Sequence, residues 1–348
     1  MSYTFHYFSD VGGVDVTTHY GEAGARLLGD VDLSVQWGHD IVVFPAIDAP
    51  PGSQDAVDAI TTASRPIAGV SDAYKDFVKT RNEVQGFIGY GGFKAGYYTS
   101  VESDYYAQMV SANYNHDILH DNLNISVGSS YGWDHITPLA DFDTDGIPDY
   151  RETWHGNIIA TQIVSPTTVV RVGAEYNRIR GLQHDPYRNV YVAGTNVPER
   201  HPKYRDRRDA FIRVSQYINN RSSIKVDYRY YEDDWGVSSH TVGARLSQYV
   251  TDQIVVRYRY RYYSQAPAFF YRDEYTLSGG IDGFQTGDYR LGDYSANLFG
   301  GRIMWFPYGA VDRIGFVRGM HVVFSYERYF NSSNFSANIF ETGLRFSF

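Results

Sequence analysis

The sequence predicts an all-β protein, a transmembrane antiparallel β-barrel of about sixteen strands. Three observations carry that prediction. Side-chain polarity alternates with period 2 over runs of roughly 10 to 15 residues, where transmembrane strands need about 9 to 11 and soluble strands average about 5 to 6. Aromatic residues gather at the ends of those runs: Trp133, Tyr262 and Tyr263, Trp305 and Phe306, Phe346 and Phe348. The four longest connections all follow odd-numbered strands, and the even-side links are short except Pro307 to Arg318.

Composition agrees. The 348 residues include 32 Tyr, 20 Phe, 33 Gly and no Cys, with 31 Lys+Arg against 40 Asp+Glu, a formal net charge of −9. The absence of cysteine excludes disulfides, thiolate metal sites and cysteine nucleophiles. An acidic chain of sequence pI near 5.6 lacks the basic footprint of a nucleic-acid binder. Mean hydropathy is −0.39 and no run of about 18 apolar residues occurs, so no transmembrane helix is predicted. An alternating strand averages to a hydrophilic score even in lipid.

The elements follow in order. Strands are read at 2–8, 13–28, 30–45, 81–90, 93–102, 104–116, 122–136, 154–164, 167–181, 207–219, 222–235, 238–250, 253–269, 292–306, 319–330 and 335–348. In 222–235, Ile224, Val226, Tyr228 and Tyr230 alternate with Lys225, Asp227 and Arg229. In 253–269, Ile254, Val256, Tyr258, Tyr260 and Tyr262 alternate with Arg257, Arg259 and Arg261. The last strand sets Phe340, Leu344 and Phe346 against Glu341, Gly343 and Arg345. A barrel in lipid turns each apolar set outward and leaves the polar set lining a lumen. Gly91-Gly92 separates two short strands, and that split keeps the parity of the count.

The four long connections, 46–80, 137–153, 182–206 and 270–291, all follow odd-numbered strands, so they share one side, the extracellular one. Ser53 as N-cap and the Asp- and Ala-containing stretch to Ala63 predict a short helix in the 46–80 loop. The chain reads as one domain over 1–348, without a secretory signal, and is therefore taken as a mature chain of a bacterial outer membrane.

Three constellations bear on function. Asp141, Asp143, Asp145, Gly146, Ile147, Asp149 and Glu152 match a calcium loop, with carboxylates at positions 1, 3, 5 and 9, a glycine at 6, the Ile147 carbonyl at 7 and Glu at 12. The Asp-x-Asp-x-Asp-Gly-Ile-Pro-Asp form resembles the calcium repeats of thrombospondin-type modules, and here it would stiffen a loop between strands. A basic ladder of Arg171, Arg213, Lys225, Arg229, Arg245, Arg257, Arg259, Arg261 and Arg345 falls on the predicted lumen face, with fewer acids at Glu175, Asp227, Glu327 and Glu341. The ladder fits an anion-preferring pore. It fits equally a self-neutralising network that props the wall or holds a plug. Of the possible catalytic pairs, His116 with His120 lies at a turn, and Ser239-His240 has no evident third partner; no enzyme is predicted.

Four blocks, Ser100–Tyr106, Val197–Arg205, Tyr262–Tyr271 and Asp288–Gly292, together with Asp58–Ser64, resemble an uncharacterised bacterial family of outer-membrane proteins. The resemblance implies an outer-membrane location, no assigned activity, and a neighbourhood of a small lipoprotein and extracytoplasmic redox proteins. Two functions are therefore expected: a porin-like diffusion or transport channel with a calcium-stiffened external loop, or a scaffold or sheath for a small lipoprotein or periplasmic redox partner.

Overall fold

The computed structural model describes residues 1–10, 14–27, 29–44, 77–138, 149–276, 280–307 and 320–345. Within them sixteen antiparallel strands close a barrel. In chain order these are β1 (Ser2–Asp10), β2 (Asp15–Leu27), β3 (Val31–Phe44), β4 (Phe77–Tyr90), β5 (Phe93–Val101), β6 (Tyr105–Ile118), β7 (Leu123–Ile136), β8 (Tyr150–Ser165) and β9 (Thr168–Gly181). Then come β12 (Tyr204–Ile218), β13 (Ser222–Asp233), β14 (Ser238–Tyr249), β15 (Ile254–Gln265), β16 (Tyr294–Trp305), β17 (His321–Asn331) and β18 (Ser336–Arg345). A separate hairpin, β10 (Asn189–Val192) and β11 (Thr195–Pro198), sits in the β9–β12 connection. A 3-10 turn, Tyr289–Leu291, lies near the end of the β15–β16 connection.

Each strand pairs with its chain neighbours, β9 pairs with β12 across the hairpin, and β1 closes on β18 from Ser2–Arg345 to Asp10–Ala337. Closure satisfies the backbone of every strand and removes the open edges that a bilayer would not tolerate. At the turn between β4 and β5, Gly91 and Gly92 have φ of 57° and 84°, and a Cβ on Gly92 would meet the Asn115 carbonyl oxygen at 2.4 Å. Glycine is required there by both conformation and space.

Register assigns every side chain to one of two faces. Ile158, Val172, Ile212, Val226, Val242 and Ile303 all point outward and are exposed, Val172 at 44%. So large a continuous apolar band has no place in water and fits the hydrocarbon of a membrane. Ring pairs border it, Trp154 with Tyr176 at 5.5 Å and Tyr326 with Phe340 at 4.9 Å between centroids. The mid-strand substitution Val172→Arg should therefore lower barrel stability by about 2–4 kcal/mol, read from urea unfolding in lipid vesicles.

Several predicted boundaries need correction: four strands are longer at their external ends than expected, whereas those read at 222–235 and 253–269 stop earlier, at Asp233 and Gln265. The first strand continues beyond 8 to Asp10, β4 starts at Phe77 rather than 81, β8 at Tyr150 rather than 154, and β12 at Tyr204 rather than 207. At these external ends the strict alternation fades, as in Tyr150-Arg151-Glu152-Thr153, although pairing continues. The 182–206 connection is not irregular throughout, because it holds the β10–β11 hairpin. The helix expected near Ser53–Ala63 lies outside the described residues.

Candidate functional site

The inner wall divides by charge. On β9 and β12–β16, ladder partners place bases directly opposite bases: Arg171 with Arg213, Lys225 with Arg245, Arg245 with Arg259, and Arg257 with Arg302. Like charges facing one another across strands are destabilising. The available acids compensate only part of this. Asp227 Oδ1 lies 3.8 Å from Arg213 Nε and 3.3 Å from an Arg245 nitrogen. Glu327 takes Arg259 at 2.9 Å, Glu341 takes Arg302 at 2.7 Å, and Arg229 reaches Asp209 at 2.6 Å. Among the described residues, Arg171, Lys225 and Arg261 form no ion pair, and Arg257 donates to the Ser247 hydroxyl at 3.1 Å. The opposite wall, β2–β7, carries Glu22 on β2, and Asp40 and Glu83 beside Arg81 at 2.5 and 3.7 Å. The lumen is thus basic on one side and neutral to acidic on the other.

All the sequence-predicted ladder residues except Arg345 are placed on this inner face by their registers. Arg345 pairs by backbone with Ser2 and His321, and its side chain lies outside the described residues. Arg302 was missed although it alternates with Ile303 and Trp305 in the expected way; its neighbours Gly300 and Gly301 dilute the pattern. A recess of about 320 Å³ opens into this wall, lined in part by Ile159, Arg171, Phe211, Arg213, Arg245 and Arg261.

Above the wall, the connections 182–203 and 266–293 pack against each other. Their latch is Glu199, whose side chain is fully enclosed. Its Oε1 accepts from Thr286 Oγ1 at 2.8 Å, Gly287 N at 2.7 Å and Asp288 N at 3.1 Å, and Arg188 lies 3.3 Å from Oε2. Arg200 and Gln285 form an antiparallel bridge beside it. Phe270, fully buried, packs its ring against Trp235 at 5.3 Å and His201 at 5.3 Å. Trp235 Nε1 donates to the Tyr204 carbonyl, and Arg205 stacks 4.1 Å over its ring.

The paired loops are anchored at two distant points of the rim. Tyr289 stacks near Phe335 in the β17–β18 turn, and Tyr187 donates to Asp104 at 2.5 Å between β5 and β6. Asp104 is held in turn by the buried Lys79 of β4, which also binds Glu102. The β17–β18 and β5–β6 junctions lie six strands apart by the shorter way round a ring of sixteen, so the loop pair spans much of the mouth. A cavity of about 160 Å³ remains beneath it, bordered by Lys79, Tyr105, Arg151, His184 and Arg290.

Electrostatics in the loops follow from burial. Asp288 would be pushed up by burial, but Arg290 and Arg188 hold its carboxyl below the usual range. Burial pushes His184 down to about 3, assisted by His201 and Arg200. Burial also lowers His201 despite the neighbouring Glu199. His201 Nδ1 pairs with the Gln183 carbonyl at 3.1 Å, while Nε2 of both rings has no hydrogen-bond partner. Both histidines are therefore neutral at pH 7.

The remaining candidates fare differently. Residues 141–148 of the predicted calcium loop, with Asp141, Asp143, Asp145 and Ile147, lie outside the described residues. Asp149 is exposed at its end. Glu152 is not in a loop: it stands on β8, accepts from Tyr131 Oη at 3.1 Å and lies 3.9 Å from Arg180. Among the described residues no group of three or more His, Asp or Glu forms a metal site. Ser239 and His240 occupy opposite faces of β14, with Ser239 buried inward and His240 packed outward against Tyr228 and Tyr230. They cannot form a dyad.

A closed sixteen-strand barrel with an apolar outer belt, a charged interior and loops gathered over one mouth is a porin-like protein of the bacterial outer membrane. Residues 58–305 match the family described as "Protein of unknown function (DUF3570)", and the chain belongs to that family. No curated protein matches the sequence. Among solved structures it is similar to the outer membrane protein OpdK from Pseudomonas aeruginosa, with a TM-score of 0.46, 8% identity, and coverage of 98% of this chain and 96% of that one. It is also similar to OmpT, an outer membrane protein of Vibrio cholerae in its trimer form, with a TM-score of 0.47, 10% identity, and coverage of 99% and 96%.

Proposed function

We propose that the protein is a diffusion channel that prefers anions, its mouth narrowed by the 182–203 and 266–293 loops. The observation that supports this reading is the set of like-charge pairs across β9 and β12–β16. A network meant only to prop the wall would alternate its signs. Rows of unneutralised guanidinium and ammonium groups instead concentrate counter-anions along one side of the lumen. The test is charge reversal at Lys225 and Arg245. The double variant Lys225→Glu/Arg245→Glu should move the zero-current potential toward cation preference in a salt gradient, and an unchanged potential would remove the ladder from the permeation path.

The external loop between β7 and β8 is the proposed calcium site, on the strength of its ligand spacing. Glu152 would exchange Tyr131 and Arg180 for the ion. Calcium at about 100 times its dissociation constant should then stabilise the folded barrel by about 2.7 kcal/mol, and EGTA should reverse this in thermal unfolding. The variant Asp143→Asn should abolish the response.

A further inference from the structure

The recess on the basic wall combines two features that ion filtering alone does not need. The first is a pair of unsatisfied donors. Arg171 and Arg213 are ladder partners on β9 and β12, and the Nε of each is shielded from solvent without a hydrogen-bond partner. Asp227 does not relieve this, since its oxygen stays 3.8 Å from Arg213 Nε. With no acid within hydrogen-bond reach of either Nε, the two guanidiniums that line the recess side by side leave a local excess of positive charge that suits one carboxylate.

The second feature is an apolar surface one ladder step toward the mouth. Ile159 and Phe211 both pair with Gly173, from opposite sides. A Cβ at Gly173 would lie 2.6 Å from the Phe211 ring and 3.1 Å from Ile159 Cγ1. The two side chains therefore close over the glycine and form a continuous apolar face beside the paired arginines. Such a surface does nothing for chloride or phosphate. It offers contact area to an organic ion whose charged end lies at the arginines.

We propose that this recess is a binding station for small monocarboxylates with an apolar body, the carboxylate held by Arg171 and Arg213 and the body lying on Phe211 and Ile159. The assignment rests on the anion-channel reading and names its substrate class.

Calorimetric titration of the purified barrel in detergent tests it, with benzoate, acetate and benzamide as probes. Benzoate should bind about tenfold more tightly than either, because acetate lacks the body and benzamide the charge. Phe211→Ala should reduce benzoate to the level of acetate and leave acetate unchanged. Arg171→Gln should weaken both carboxylates about tenfold. Ile159→Ala provides a second, milder removal of the apolar face, and heat-modifiable gel migration reports that each variant is folded. Equal binding of benzoate and acetate, or a Phe211→Ala variant that binds benzoate like the parent, would overturn the proposal. The titration does not depend on conduction. A barrel that binds benzoate but passes no ions keeps the station and loses the channel. One that conducts anions without discriminating benzoate from acetate keeps the channel and loses the station.

Discussion

Replacing Glu199 with Ala will raise single-channel conductance several-fold and make the open current noisier, while the barrel itself stays folded. Glu199 is the shared acceptor for Thr286, Gly287, Asp288 and Arg188, and its side chain is fully enclosed. Its removal takes the shared acceptor from Thr286, Gly287 and Asp288 and the nearest of three carboxylates from Arg188, with Asp185 and Asp288 remaining at 3.6 Å. Losing one partner of a buried charge pair costs about 3–5 kcal/mol. That cost falls on the contact between the 182–203 and 266–293 loops, since β9, β12, β15 and β16 are held independently by their own ladders. With the latch broken, the bridge across the mouth has one anchor at each rim and no centre. Glu199→Gln keeps an acceptor oxygen and should lie between the parent and Glu199→Ala. Parent-like conductance in Glu199→Ala would mean that the loops do not narrow the path.

Acidification should produce the same opening reversibly. In the docked loops His184 and His201 titrate below the ordinary value of 6.5, His184 at about 3, whereas in undocked, hydrated loops they return toward 6.5. The undocked state therefore binds more protons. The docked arrangement keeps its full stability above about pH 6.5 and loses it as pH falls below that value toward the docked pKa. For His184 the loss is about 2 kcal/mol at pH 5.

The surroundings offer little relief to a proton. Around His201 lie Trp235, Phe270 and the Gln183 carbonyl, with Glu199 Oε2 3.9 Å away and already engaged by Arg188. Arg200 and the second histidine oppose any added charge at His184. Conductance at pH 5 should exceed that at pH 7.5, and His184→Gln/His201→Gln should flatten the profile. A parent profile that is already flat would show that the histidines do not govern docking.

The barrel was legible in the sequence because lipid imposes a strict rule on it. Val226, Tyr228 and Tyr230 must face hydrocarbon, so Lys225, Asp227 and Arg229 must face inward, and the period survives in the residues themselves. The short first strand read at 2–8 pairs with β18 from Ser2–Arg345 to Asp10–Ala337. The ladder reading follows from the same rule, since Arg257, Arg259 and Arg261 alternate with Val256, Tyr258 and Tyr260, whereas Arg302 beside Gly300 and Gly301 gives no such run.

The loop pair obeys no such rule. Glu199 and His201 sit in an aperiodic segment, and their role depends on Thr286 and Phe270, far away in the chain. The blocks that carry the family resemblance, Ser100–Tyr106, Val197–Arg205, Tyr262–Tyr271 and Asp288–Gly292, give a hint. They supply Asp104, Glu199, Phe270 and Asp288, which all meet at the mouth. Sequence showed the blocks but not that they touch, because that contact is made only when the barrel closes and brings its rim together.

The most direct test of the account is the zero-current potential of the purified protein in a planar bilayer separating unequal concentrations of potassium chloride. The account predicts conducting steps whose reversal potential has the sign set by chloride, as the unneutralised groups at Arg171, Lys225, Arg257 and Arg261 require. A potential with the sign set by potassium would contradict it.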